Sequence, residues 1–168
     1  RIASAYGGGN YHAVFLPDGG SELKSLAPLL PYYDVDPREV KFLGTGLWDD
    51  PSLAREPPLN GAWFPAPPPE GHEQFLIRYR RAYGSTPPRI ASLGYDAVSL
   101  AIALSTLPRE ERFTQEALTN PDGFAGVDGI FRFMPDGSTE RGLAVLEIRS
   151  GGAVVIDPAP TSFQPQVC

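Results

Sequence analysis

The feature that most constrains the fold is a pair of short apolar runs separated by a stretch with helical periodicity. The runs are residues 12–16 and 40–43, and leucines recur between them at three- and four-residue spacing. Two strands joined through a helix run parallel, because a parallel pair needs a long crossover connection. We therefore predict a βαβ unit, with Pro28 and Pro31 ending its helix early.

The rest of the chain continues this mixed pattern. Apolar periodicity and turn signals predict helices over residues 70–83, 89–107 and 115–118, and strands over residues 61–64, 130–134, 143–148 and 153–156. The Pro135-Asp136-Gly137 turn favours an antiparallel hairpin between residues 130–134 and 143–148. Pro87-Pro88 can open the helix that follows. The predicted fold class is three-layer α/β, with a mostly parallel sheet, flanking helices and a late antiparallel hairpin.

Composition excludes several classes of function. The chain has 168 residues and a net charge of −6, and nucleic-acid binders instead need basic surfaces. No apolar run approaches the roughly 20 residues that cross a bilayer. Cys168 is the one cysteine, so neither an intrachain disulfide nor a thiolate metal site is possible. Because the chain begins at Arg1, we expect either a removed leader or a piece of a longer protein.

The usual catalytic sets are missing from the sequence. The two histidines, His12 and His72, do not share a metal-ligand spacing, and we expect His72 to be a solvated residue in the first turn of a helix. No Gly-x-Ser-x-Gly elbow is present. We therefore predict no enzyme activity, no metal and no cofactor, and we keep a hydrolase using Asp18 or Asp49 as the least favoured alternative.

The second apolar run ends in Gly44-Thr45-Gly46, followed by Leu47, Trp48, Asp49 and Asp50. Open α/β sheets bind ligands beyond the carboxyl ends of their strands, and glycine allows close approach of a ligand to the backbone. Trp48 either stacks on a ligand or partner or plugs the end of the core. Asp49 either holds a ligand ammonium or caps the turn that Asp50-Pro51 begins.

Several of these motifs, in this order, resemble the type-1 periplasmic-binding-protein fold of leucine-binding proteins. They are Gly44-Thr45-Gly46, residues 59–64, the helix ending at Tyr83-Gly84, residues 95–101, and residues 124–133 with the Asp136-Gly137 turn. Residues 93–101 and the Gly126-x-x-Gly129 run are most similar to bacterial penicillin-binding-protein activators, which stimulate peptidoglycan synthases. The likeness covers only the C-terminal half of that fold, so the missing N-terminal half is itself an expected partner.

The resemblance implies a division into lobes and a set of binding residues. Residues 1–66 would belong to lobe II, residues 67–142 to lobe I, and residues 143–168 to strands that return to lobe II and a proline-rich tail. The implied ligand- or partner-binding residues face the cleft between the lobes: Asp18, Gly19, Thr45, Gly46, Trp48, Asp49, Ser92 and Tyr95. Leu47 and Trp48 replace the small residues that solute receptors carry at this place.

Two functions follow from the resemblance. The first is a non-catalytic regulator of peptidoglycan synthesis in the periplasm or cell envelope, which binds a synthase. The second is a solute receptor that hands an amino acid or another small molecule to an ABC transporter. Both would be binding domains without a transmembrane segment of their own, and the leader that exports such proteins is not part of this sequence.

Overall fold

The computed structural model describes residues 11–163, which form parts of two compact units. Unit 1 contains the chain up to Ala66 together with Ala144–Pro158, and unit 2 contains Pro67–Leu143 and the residues that follow Pro158. The end of the predicted proline-rich tail, with Cys168, lies outside the described residues. Between residues 11 and 163, no helix has the length and apolar character that a membrane span requires. The assignment of the units to lobes stays a prediction.

Regular elements alternate along the chain in the order expected of an α/β protein. The strands are β1 (Ala13–Phe15), β2 (Lys41–Leu43), β3 (Trp63–Ala66), β4 (Phe124–Gly126), β5 (Gly129–Phe133), β6 (Thr139–Arg141), β7 (Ala144–Arg149) and β8 (Gly152–Asp157). The helices are α1 (Gly20–Leu26), α2 (Leu29–Tyr32), α3 (Pro69–Tyr83), α4 (Ala91–Ser105) and α5 (Gln115–Leu118).

Unit 1 is built on one mixed sheet with the strand order β1-β2-β3-β7-β8. The first three strands are parallel, so the predicted βαβ unit is confirmed, with Val14 opposite Phe42. Strands β7 and β8 then complete the sheet in antiparallel pairing. The α/β class is therefore confirmed.

The core of unit 1 comes from both the sheet and the loops. Phe42, Phe64 and Leu146 are buried on neighbouring strands. The proline-rich stretch after Asp50 forms two 3-10 helices, Pro51–Arg55 and Pro57–Leu59, each of which buries a leucine. Asp50 starts the first of them, because its Oδ1 accepts a hydrogen bond from the Ser52 amide at 2.8 Å.

Unit 2 combines helices α3, α4 and α5 with the antiparallel sheet β4-β5-β6. The hairpin predicted between residues 130–134 and 143–148 was wrong in its second strand. Strand β5 pairs with β6, where Arg132 lies opposite Glu140, while β7 joins the sheet of unit 1. The polar Thr-Glu-Arg sequence of β6 carries no apolar alternation, so its pairing with β5 and the ion pair between Arg132 and Glu140 make it a strand.

The helix ends of unit 2 follow ordinary capping rules. Gly84 ends α3 in the left-handed conformation at φ 67°, and the Thr114 hydroxyl accepts from the Ala117 amide to begin α5. The predicted opening of the next helix at Pro87-Pro88 was wrong, because α4 begins three residues later at Ala91. Along α4 only Ser92, Asp96 and Leu104 are buried.

Candidate functional site

The carboxyl ends of β1 and β2 lie side by side in unit 1 and carry the candidate site, residues 17–19 and 44–49, which we call the strand-end rim. The Leu16 amide donates to the Leu43 carbonyl at 2.8 Å, which continues the parallel ladder to the end of both strands. Beyond it, the Thr45 hydroxyl donates to the Pro17 carbonyl at 3.4 Å. The structure therefore brings Asp18, Gly19 and the Thr45–Asp49 turn to one edge of the sheet.

Trp48 fills the end of the core beneath this rim. Its side chain is buried, with 1% of its surface exposed. The indole Nε1 donates to the Asp18 carbonyl at 2.8 Å, and the ring lies 6.4 Å from that of Phe64. A methyl group added at Gly44 would overlap the indole, so glycine is what allows the ring to pack there. Of the two interpretations of Trp48, the structure supports the second, in which the indole fills the end of the core.

Leu47 is the apolar side chain that the rim exposes, with 64% of its surface accessible. A Cβ added at Gly19 would lie 2.7 Å from the Leu47 Cβ, so the two loops touch at this point. The Leu47 amide donates to the Thr45 hydroxyl at 3.3 Å, which starts the 3-10 turn Gly46–Trp48. The rim is thus a fixed piece of backbone with one exposed isobutyl group.

Acidic residues lie on both segments of the rim. Asp18 and Asp49 are exposed, and Asp50 follows directly. The Ser52 hydroxyl and then the Ser52 amide hydrogen-bond the Asp50 carboxylate and lower its pKa, helped by the charges of Lys24 and Arg55. A rim with two exposed carboxylates and an apolar contact suits a ligand or partner that offers an ammonium group beside an apolar group.

Ser92 and Tyr95, the two other predicted site residues, belong to unit 2. Tyr95 is partly exposed, and its ring lies 5.4 Å from the ring of Phe75. Ser92 is fully buried, and its hydroxyl donates to Asp128 Oδ2 at 2.6 Å. A direct ligand contact by Ser92 would therefore require the hydroxyl to leave a buried hydrogen bond.

Asp128 is the centre of a buried polar group in unit 2, which we call the Asp128 cluster (His72, Arg89, Ser92 and Asp128). Arg89 Nη1 lies 3.1 Å from both carboxylate oxygens, and His72 Nδ1 lies 3.5 Å from Oδ1. The cluster ties the first turns of α3 and α4 to the β4–β5 turn. The expectation that His72 is solvated was wrong, because only 19% of its side chain is exposed.

The Asp128 cluster contains serine, histidine and aspartate but lacks the geometry of a nucleophilic triad. A nucleophilic serine needs a base within hydrogen-bond reach and an orienting group behind that base. Here the Ser92 hydroxyl contacts the carboxylate and the Arg89 side chain. Its position and full burial suit structural support. Within residues 11–163, no cluster of three or more histidine, cysteine or acidic side chains could hold a metal ion.

Sequence reasoning did not identify Asp128 or Arg89, because each stands alone among ordinary polar neighbours. One local signal was available. Asp128 lies between Gly126 and Gly129, and glycines mark places where a chain passes close to another group. A methyl group at Gly126 would indeed overlap the Asp96 carboxylate, whose Oδ1 accepts from the Val127 amide at 2.8 Å.

These features define the class of the fold, which is that of type-1 periplasmic-binding proteins such as the leucine-binding proteins. The chain spans about half the length of the solved structures that it matches, covering 44% of one and 47% of another. This coverage agrees with the prediction that the chain corresponds to one half of the fold. No protein-family model matches the sequence, and no curated protein matches it.

Three solved structures illustrate the similarity. A Rhodospirillum rubrum protein, provisionally described as a branched-chain amino acid ABC transporter, is 27% identical over 86% of this chain, with a TM-score of 0.68. The leucine-binding protein LivK of Thermotoga maritima is 18% identical over 98% of this chain, with a TM-score of 0.59. LpoA of Haemophilus influenzae is 15% identical over 87% of this chain and 26% of its own length, with a TM-score of 0.59.

Proposed function

We propose that this chain is part of a non-catalytic binding protein of the bacterial cell envelope, which engages its target through the strand-end rim. The observation that carries the proposal is the position of the rim at the carboxyl ends of parallel strands β1 and β2. Open α/β sheets place their ligands at that edge. The exposed Leu47 and the carboxylates of Asp18 and Asp49 supply the side-chain contacts.

The first candidate target is a small solute of the branched-chain amino-acid type, as for a receptor of an ABC importer. The Rhodospirillum rubrum protein supports this candidate, because its likeness to the chain has the highest identity and TM-score of the three. In this role Asp49 or Asp18 would bind the ammonium group of the solute. Leu47 would contact its apolar side chain.

Amide chemical shifts of the isotope-labelled 168-residue chain test this candidate, with L-leucine and L-isoleucine as the probes. We expect saturable shift changes at Gly19, Gly46 and Leu47, and a rise in melting temperature by linkage. The Leu47→Ser variant keeps the Cβ that packs on Gly19 and removes the exposed methyl groups. It should weaken binding about tenfold, since burying such a group stabilises by ~1.5–3 kcal/mol.

The Leu29→Ser variant is the matched control, because Leu29 is also an exposed leucine of unit 1 but belongs to helix α2. It should leave the affinity for L-leucine unchanged. Shift changes that do not saturate, or that appear equally in the L47S variant, would remove solute binding at this rim from consideration.

The second candidate target is a peptidoglycan synthase. Two observations favour it: LpoA is among the structural neighbours, and Leu47 and Trp48 occupy positions where the family resemblance implies small residues. An exposed leucine among carboxylates suits a protein partner as well as a solute. The assay is glycan polymerisation by a purified bifunctional synthase, which the chain should accelerate and the L47S variant should accelerate less. An unchanged rate with the wild-type chain would eliminate this candidate.

A further inference from the structure

Unit 1 contains an open cavity that shares no residue with the strand-end rim. The cavity has a volume of about 450 Å³, and we call it the α2 cavity because it begins in helix α2. Its walls are formed by Pro31, Asp34, Asp36, Pro37 and Arg38. The volume lies within the range of roughly 300–1,000 Å³ that is usual for binding sites. Because three of the five side chains are charged, the α2 cavity suits an occupant that carries charge itself.

The charges in the α2 cavity do not cancel. Arg38 Nε donates to both carboxylate oxygens of Asp36, at 3.0 and 3.1 Å, and the Arg38 amide donates to the same carboxylate at 2.8 Å. These two side chains therefore neutralise each other. The Asp34 side chain is exposed and has no hydrogen-bond or ion-pair partner within residues 11–163. Its carboxylate is thus free to pair with an ammonium or guanidinium group.

The backbone that carries Asp34 is fixed by the end of helix α2. The Val35 amide donates to the Leu30 carbonyl at 2.9 Å, and the Asp34 amide donates to the Pro31 carbonyl at 3.1 Å, which is the hydrogen-bond pattern of a Schellman motif. Val35 is buried at this point. Because the cavity wall is already ordered, a partner would not have to order it on binding.

Two exposed tyrosines lie next to the α2 cavity in the chain. Tyr32 directly follows Pro31 and is 76% exposed, more than any other large apolar side chain in the described part of the chain. The ring of Tyr33 meets that of Tyr32 edge-on, with 5.1 Å between the ring centroids. Helix α2 buries none of its residues. Tyrosine is enriched among the residues that dominate binding at protein interfaces, so this surface suits a polypeptide.

We infer that the α2 cavity and the two tyrosines bind a polypeptide partner that presents an arginine or lysine side chain between apolar side chains. The free carboxylate of Asp34 would pair with the cationic group. The rings of Pro31 and Pro37 would contact the aliphatic part of that side chain, and Tyr32 would contact its apolar neighbours. The inference goes beyond the proposed function, and it does not depend on which target the strand-end rim binds.

Peptide titrations of the isotope-labelled chain test the inference. The probe is the acetylated and amidated pentapeptide Ala-Leu-Arg-Leu-Ala, and two matched control peptides carry citrulline or glutamate in place of arginine. Citrulline has the shape of arginine without its charge. We expect saturable amide shift changes within residues 31–38 with the arginine peptide. The citrulline peptide should bind about tenfold more weakly, and the glutamate peptide should not bind.

Two pairs of variants assign the binding to the inferred contacts. Asp34 has a φ of 66°, and asparagine also adopts this left-handed conformation, so Asp34→Asn removes the charge and keeps the turn. It should weaken binding of the arginine peptide about tenfold, whereas Asp157→Asn, at an exposed aspartate of β8, should leave it unchanged. Tyr32→Ser should also weaken binding, and Tyr83→Ser is its control, because both tyrosines are exposed last residues of their helices.

Several results would overturn the inference. Equal affinities for the arginine and citrulline peptides would show that the charge of the partner is not recognised. Shift changes that do not saturate, or that fall outside residues 31–38, would show that the α2 cavity is not the site. Free L-arginine that binds as tightly as the peptide, or a Y32S variant with unchanged affinity, would show that the cavity takes a small cation and is not a surface for a polypeptide.

Discussion

The indole nitrogen of Trp48 donates to the carbonyl of Asp18 at 2.8 Å, and this bond joins the loops that follow two neighbouring parallel strands. The two residues are 30 positions apart in sequence. The bond therefore fixes the shape of the strand-end rim from below. It also makes Trp48 a support for the site, acting through the Asp18 backbone.

Shortening Trp48 should destabilise unit 1 strongly. Trp48→Phe leaves the Asp18 carbonyl without its donor and should lower the free energy of unfolding by about 1–3 kcal/mol. Trp48→Ala adds a cavity and should cost about 3–5 kcal/mol. Trp63→Phe is the control, because the Trp63 nitrogen donates to Glu147 at an exposed site, and its loss should cost less than about 1 kcal/mol. Urea unfolding followed by circular dichroism measures all three, and equal losses for W48F and W63F would contradict the prediction.

Adding one methyl group beneath the rim should also lower the free energy of unfolding. Gly44→Ala drives a Cβ into the Trp48 indole, and we expect a loss of about 1–3 kcal/mol or more from overpacking. Gly46→Ala is the matched control two residues away, where a Cβ would meet only the Pro65 carbonyl at 3.7 Å. Its effect should stay within about 0.5 kcal/mol. Similar losses for the two variants would show that the indole can move aside.

The Asp128 cluster should account for much of the stability of unit 2. Asp128→Ala leaves the buried Ser92 hydroxyl and the partly exposed Arg89 guanidinium without their carboxylate, and should cost about 1–3 kcal/mol. Ser92→Ala should cost about 1–3 kcal/mol. Because the two side chains are in contact, a double-mutant cycle should give a coupling of about 0.5–3 kcal/mol. Asp136→Ala, in an exposed turn of the same unit, is the control and should cost less than about 1 kcal/mol. Additive effects of D128A and S92A would show that the two side chains do not stabilise the unit through their contact.

Asp36 should titrate far below a normal aspartate. The Arg38 side chain and then the Arg38 amide hydrogen-bond its carboxylate and lower the pKa to about 2. Since the unfolded-state pKa is about 3.9, this pair stabilises the fold above that pH, and the contribution is lost as pH falls towards 2. Arg38→Gln removes the guanidinium but keeps the residue-38 amide, so it should raise the pKa of Asp36 towards, but not fully to, about 3.9 in a carbon-detected NMR titration. Glu39→Gln should leave it unchanged, and an unshifted Asp36 in the wild-type chain would contradict the contact.

The parallel core of the fold could be predicted from sequence because each strand is a compact apolar run and the helix between them has its own period. Strand β6 could not be predicted, because its Thr-Glu-Arg sequence has no apolar alternation and becomes a strand through its pairing with β5. The apolar pattern of residues 143–148 therefore suggested that they pair with β5. These residues instead form β7, which pairs with β3 in unit 1. Apolar pattern identifies strands and says little about which sheet they join.

The candidate site divides in the same way. Its location followed from strand order and the glycines, which are local signals. The burial of Trp48 could not be predicted, because an aromatic residue after a glycine turn has the same sequence pattern whether it faces a ligand or the core. The Asp128 cluster gathers side chains from residues 72 to 128, and neither periodicity nor a motif links them. Side chains that meet only in the tertiary structure have no fixed spacing in the sequence from which their contact could be predicted.

Two glycines of unit 2 should respond in opposite directions to alanine. Gly126→Ala would force a methyl group into the Asp96 carboxylate and should cost about 1–3 kcal/mol or more. Gly94→Ala meets nothing within 4 Å inside helix α4 and should stabilise the free chain by about 0.5–1 kcal/mol. Thermal and urea unfolding of the 168-residue chain measure both. A stabilised G126A variant would contradict the close packing at Asp96.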